Sequence, residues 1–239
     1  MKDDCISNLK LKLKCTINKV SSRAYVTNWE DGTVTVIDTE TNKVIIEHID
    51  VGARPLGIAI TPDGSRAYVT NYINDGTVTV IDTASNTVIK TISDVGANPE
   101  GIAITPNGSQ VYVTNYVSNT VTVIDTVTNN IVEDIDVGAD AGPVGIAITP
   151  NGSRAYVTNW GDGTVTVIDT VTNEVIGDPI KVGDYPYGIA ITPDGSRAYV
   201  TNRGSNTVTV IDTETNKVIV EHIVVGEGPW GIAIAFIKV

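Results

Sequence analysis

The tetrad Tyr-Val-Thr-Asn occurs five times, beginning at Tyr25, Tyr68, Tyr112, Tyr156 and Tyr199, in steps of 43, 44, 44 and 43 residues. A unit repeated at such a spacing is one supersecondary element, and it buries its apolar faces by stacking on its neighbours. The period is that of a four-stranded propeller blade. Within one copy, residues 57–61 read as strand A, small and apolar, and Pro62-Asp63-Gly64-Ser65 supplies a turn in which Pro presets φ and Gly accepts a positive value. Residues 67–71 give strand B, 77–83 strand C and 88–95 strand D. Helix has almost no place in this pattern. The abundance of Val, Ile and Thr, beside one Phe and one Met, agrees with many short strands.

Strand D reads as the outer edge of each blade. Glu47, Lys90, Glu133, Asp134 and Glu221 break its apolar pattern and Pro179 interrupts the fourth copy, which are the usual means of blunting an exposed edge. Strands A to C stay almost free of charge until the terminal Asp of each strand C, as expected where both faces are covered.

Strands B, C and D occur five times, and so does the Gly-Ile-Ala-Ile form of strand A, but the phase is offset: the repeats begin on a strand B and end on a strand A. The expected fold is therefore all-β: a five-bladed β-propeller of four-stranded antiparallel blades over residues 22–239. Its ring is expected to close by the C-terminal strand 231–239 joining the first blade, which would make the protein a monomer. A competing run at 11–17 would bury Lys10, Lys12 and Lys14 at a cost of several kcal/mol each. Residues 1–21 are accordingly expected to form an extension outside the ring. Cys5 and Cys15 lie in it, either as free thiols or as a local loop closed in an oxidising compartment. The mixed charges near the N-terminus leave no apolar core for a signal peptide.

The net charge of −12, with Lys and Arg scattered, excludes nucleic acid as the expected partner, and no window is long enough to insert into a membrane.

The tetrad, followed by Thr-Val-Thr-Val-Ile-Asp-Thr and then by Val-Gly before a Pro-x-Gly turn, resembles the YVTN family of β-propeller repeats over residues 22–239. The resemblance implies a surface-layer or cell-surface protein of archaea or bacteria, or one exported to the periplasm. It implies no catalytic residue, and it usually goes with seven blades where five copies stand here.

Antiparallel succession places the D-to-A and B-to-C connections on one face of the disc and the near-identical A-to-B turns on the other. The first face holds the differences between copies. After each tetrad stand Trp29, Tyr72, Tyr116, Trp160 and Arg203; in the D-to-A turns stand Leu56, Glu100, Val144, Tyr187 and Trp230, with Arg54 beside the first. Large amphipathic groups and Arg on a loop face suit an interface or a pocket. They equally suit packing over the seam between blades, and both roles stand open. The candidate binding residues are Trp29, Tyr72, Tyr116, Trp160, Arg203, Arg54, Glu100, Tyr187 and Trp230.

The recurring Asp38, Asp82, Asp125, Asp169 and Asp212 do not converge and read as local turn caps rather than metal ligands. His48 and His222 fall on outer strands. With no nucleophile elbow and no phosphate loop, neither a cofactor nor a metal is expected. The expected function is a non-enzymatic interaction or surface-structural module with a protein or glycan partner. A lyase or lactonase with its site at the axial mouth is one alternative, and an array that self-assembles through its unmatched ends is another.

Overall fold

The computed structural model describes residues 22–235. The extension 1–21, with Cys5, Cys15 and the run 11–17, lies outside the described residues, as do residues 236–239. Among the described residues nineteen strands form five antiparallel sheets in chain order. The first has three strands, β1 (Arg23–Asn28), β2 (Thr33–Asp38) and β3 (Lys43–Asp50). The second is β4 (Pro55–Ile60), β5 (Arg66–Asn71), β6 (Thr77–Asp82) and β7 (Thr87–Ile92); the third is β8 (Pro99–Ile104), β9 (Gln110–Asn115), β10 (Thr120–Asp125) and β11 (Asn130–Asp136). The fourth is β12 (Pro143–Ile148), β13 (Arg154–Asn159), β14 (Thr164–Asp169) and β15 (Ile180–Lys181); the fifth is β16 (Pro186–Ile191), β17 (Arg197–Asn202), β18 (Thr207–Asp212) and β19 (Lys217–Val224). This is a β-propeller of five blades.

The tetrad explains how the blades hold together. Successive residues of a strand face opposite sides, so Tyr68 packs with Val111, Val113 and Ile124 of the third blade. Its neighbour Val69 packs with Val34 and Val36 of the first. One strand thus serves two seams, and both residues are fully buried. The Tyr hydroxyl then reaches the C-to-D turn of the following blade. Tyr25 donates to Asn86 Oδ1 at 2.9 Å, Tyr68 to Asn129 at 2.6 Å, Tyr112 to Asn173 at 2.5 Å and Tyr156 to Asn216 at 2.7 Å. Each of these acceptors has a positive φ between 54° and 59°, a conformation Asn tolerates better than most residues. The tetrad's Asn ties strand B to strand C, as where Asn115 Nδ2 donates to Thr120 and Thr122 on β10, and Asn71 Nδ2 also reaches the Val51 carbonyl at the end of the preceding blade.

The terminal aspartates cap their own turns. Asp125 Oδ1 accepts from the Thr128 amide and hydroxyl, and Asp212 Oδ1 does the same with Thr215. Strand D is the exposed edge, and Pro179 leaves β15 two residues long.

The expected closure by strand 231–239 is not seen among the described residues. Residues 231–235 belong to no strand and pair with nothing on β1, so the first sheet stays three-stranded. Apolar clusters join the first blade to the second, second to third, third to fourth and fourth to fifth; among the described residues none joins fifth to first. The glycine of each strand A shows the same open end. A Cβ at Gly57, Gly101, Gly145 or Gly188 would collide with the carbonyl oxygen of Glu100, Val144, Tyr187 or Trp230 in the next copy's inner segment, whereas Gly231 has nothing within 4 Å. Residues 231–235 start correctly on the fifth blade, but no blade covers their far side. At the other end Val26 is 42% exposed, while its equivalents Val69, Val113 and Val157 are at 0%.

Candidate functional site

The inner strands β4, β8, β12 and β16 pair with their neighbours through Pro and then skip to Ile. The register shifts between Pro55 and Ile58, Pro99 and Ile102, Pro143 and Ile146, and Pro186 and Ile189. Bulges of this kind re-aim side chains. Here each bulge contains the variable residue: Leu56, Glu100, Val144 or Tyr187. The tetrad Thr of the preceding blade fixes the backbone at that point. Thr27, Thr70, Thr114, Thr158 and Thr201 donate to the carbonyls of Leu56, Glu100, Val144, Tyr187 and Trp230 at 2.7 to 3.0 Å. The repeated framework therefore holds five unrepeated side chains around one axis.

They line a cavity of about 440 Å3 together with Trp29, Tyr72, Tyr116 and Trp160. Seven of the nine residues singled out in the sequence are brought together here. Arg54 and Arg203 are not in the lining; they stand beside it. Arg54 lies 5.8 Å from the Trp29 ring centroid, and Arg203 lies 5.6 Å from Trp160 and 5.0 Å from Trp230.

The walls touch one another. Trp29 and Tyr72 have centroids 5.5 Å apart, Trp160 and Tyr187 6.0 Å, and Tyr187 and Trp230 4.2 Å in an edge-on arrangement. Across the axis the Tyr187 hydroxyl donates to Glu100 Oε1 at 2.5 Å, joining the third and fifth blades. Burial pushes the Glu100 carboxyl up, and the Tyr187 bond opposes that only in part. Burial and the facing carboxylate push the Tyr187 phenol up as well. Among the described residues no Lys, Arg or His lies within 4 Å of the Glu100 carboxylate.

One contributor escaped the sequence reading. Tyr185 stacks on Trp160 at 4.9 Å, with ring planes 25° apart. It occupies the residue before Pro in the D-to-A turn, which is left-handed in every copy: Arg54, Asn98, Gly142, Tyr185 and Gly228 have φ between 51° and 60°. Bulky residues rarely sit there, and both that do, Arg54 and Tyr185, lie against the aromatic that follows the preceding tetrad. A bulky residue where other copies have Asn or Gly was the available signal.

The opposite face has a larger crevice, about 540 Å3, between the A-to-B turns of the second and third blades. A similar crevice lies between the fourth and fifth. Its recurrence marks it as a product of stacking, and its residues are those of the repeated turn.

The sequence pattern of the cytochrome D1 heme domain family matches residues 20–235. The chain belongs to that family. Its propellers have eight blades, against the five sheets described here. No curated protein sequence matches the chain. Among solved structures it is similar to a functionally unknown protein from Desulfotomaculum acetoxidans, with TM-score 0.80 and 21% identity over 90% of this chain and 70% of that one. It is also similar to Kuenenia stuttgartiensis hydrazine synthase, with TM-score 0.63 and 23% identity over 88% and 85% of the respective chains. These likenesses show the fold.

The heme in the family's name finds no imidazole, thiolate or thioether donor at this mouth. Heme iron takes imidazole, thiolate, thioether or phenolate ligands. Among the described residues the histidines are His48 and His222, far from the axis on the outer strands β3 and β19, with side chains 64% exposed. The lining contains no Cys, Met or His, which leaves tyrosines as its only donors of these types, and of these the Tyr187 phenol is pushed up by burial and by Glu100, the wrong direction for an iron-bound phenolate.

Proposed function

We propose that this chain is a non-enzymatic binding module that offers the axial mouth of its propeller to a protein or glycan partner. We place it, as the YVTN resemblance implies, at the cell surface or elsewhere outside the cytoplasm. The observation that carries the reading is the cavity that all five blades line with one apolar, mostly aromatic wall. Rigid aromatic rings give contact area at little cost in conformational entropy, and their mutual packing keeps the mouth formed before a partner arrives. A framework repeated nearly unchanged around unrepeated residues is the arrangement of a scaffold that varies only its recognition surface.

The lyase or lactonase reading has less to draw on. The lining offers one carboxyl, already bonded to the Tyr187 phenol, and the phenols of Tyr72 and Tyr116, without an imidazole or an activated nucleophile.

The experiment is to probe glycan and peptide arrays with the wild type and with a Tyr187→Ala, Trp230→Ala double variant of matched circular dichroism. Binders retained by the wild type and lost by the variant are expected. An array without binders, or the same binders with both proteins, overturns the reading.

A further inference from the structure

The lining of the mouth is chemically lopsided. Six of its nine residues are aromatic, two are aliphatic, and one, Glu100, carries charge. A carboxylate in such surroundings loses hydration, and a protein ordinarily places a cation or several donors beside it. Glu100 has a single donor, the Tyr187 hydroxyl, and no cationic side chain among the described residues within 4 Å. The charge is thus built into the cavity with most of its acceptor capacity unused.

The aromatic rings supply a second preference of the same sign. Their faces are electron-rich and attract cations. Three of them already do so outside the cavity, where Arg54 lies over Trp29 and Arg203 over Trp160 and Trp230. Both arginines stand outside the lining, so the fixed positive charges do not fill the place beside Glu100. The net charge of −12 adds a long-range field that draws cations toward the protein.

We propose that the mouth receives an organic ammonium group, seated among the aromatic rings with its charge directed at the Glu100 carboxylate. This rests on the reading of the mouth as a binding site and names the chemistry of what enters it. Tyr187 acts as the positioning residue: its hydroxyl fixes one carboxylate oxygen and leaves the other for the ligand. A quaternary or alkylated ammonium fits better than a bare ammonium ion, because its alkyl surface replaces water against the rings while its charge is met by Glu100.

The three tryptophans of the chain, Trp29, Trp160 and Trp230, all line the mouth, so intrinsic tryptophan fluorescence reports on this site alone. The test titrates choline and its neutral isostere 3,3-dimethylbutan-1-ol into the wild type and into Glu100→Gln, a replacement that still accepts the Tyr187 bond. Choline should shift the emission of the wild type with an affinity at least about tenfold above that of the isostere, and Glu100→Gln should erase that preference. Equal response to both probes, unchanged by Glu100→Gln, overturns the ammonium assignment while leaving the mouth a binding site. No response to either probe also overturns it, and the array experiment then judges the mouth separately.

Discussion

The Tyr112 hydroxyl donates to Asn173 Oδ1 at 2.5 Å across the seam between the third and fourth blades, and the same Tyr-to-Asn bond recurs at every seam the described residues form. The bond is partly buried and its acceptor stands in a left-handed turn, so the tyrosine fixes both the spacing of two blades and the conformation of a loop. Burial and the nearby Asp169 push the phenol up, which keeps the donor proton in place.

Removing that hydroxyl should therefore cost stability wherever it is bonded and little where it is not. Tyr112→Phe leaves Asn173 Oδ1 without its donor, a loss of about 1–2 kcal/mol, or roughly 2–8 °C in melting temperature for a chain of this size. Tyr199, the fifth tetrad tyrosine, has no such partner among the described residues and is only half-buried. Tyr199→Phe should melt with the wild type. Thermal unfolding of both variants followed by circular dichroism checks this, and a Tyr199→Phe loss equal to that of Tyr112→Phe would show that a further blade packs on that seam in solution.

Acid should act on the A-to-B turns. Asp63 accepts from the Thr61 hydroxyl and from the Ser65 amide and hydroxyl, and Asp194 from Thr192 and Ser196 in the same way. These bonds lower both carboxyls from 3.8 to about 2. A depressed folded-state value gives stability that is present above the unfolded value and disappears as pH falls through the folded one, so the window runs from about 4 down to about 2. The third and fourth blades place Asn107 and Asn151 at the same point with the same hydroxyl bonds. An Asp63→Asn, Asp194→Asn variant should fold normally at neutral pH and lose less melting temperature than the wild type across that window. Identical acid profiles would assign the sensitivity to the C-to-D aspartates instead.

Much of this is legible in the sequence. The two-residue alternation of Tyr68 and Val69 and the fixed spacing of the turns dictate strands and their stacking. The candidate face could be read because Glu100, Tyr187 and Trp230 differ while the residues around them repeat. Two things could not be read. The stacking of Tyr185 on Trp160 depends on a positive φ before proline; the Asn and Gly of other copies at that position hint at the φ, but not at which ring the Tyr meets. Closure depends on the angle through which each blade turns relative to the last, and that angle comes from seam packing, whereas the repeat period counts blades only. Five copies of strand A and five of strand B could pair completely, yet the structure leaves β1 and residues 231–235 apart.

The open seam gives the sharpest test of the architecture. At Gly145 an added methyl would run into the Tyr187 carbonyl and crowd the Thr158 hydroxyl, and that Thr is what holds the mouth residue Tyr187 in place. Backbone cannot move aside as the end of a side chain can, so Gly145→Ala should cost about 1–3 kcal/mol or more and disturb the mouth together with the seam. At Gly231 the same methyl meets nothing within 4 Å, and its conformation is not left-handed. Gly231→Ala should then be neutral in thermal melting and silent in tryptophan emission. If Gly231→Ala instead destabilises as Gly145→Ala does, an inner strand is pressed against residues 231–235 in solution. Light scattering on the wild type would then separate the two sources of that strand: a 25.3 kDa particle assigns it to this chain's own first blade, and a larger one to a second copy.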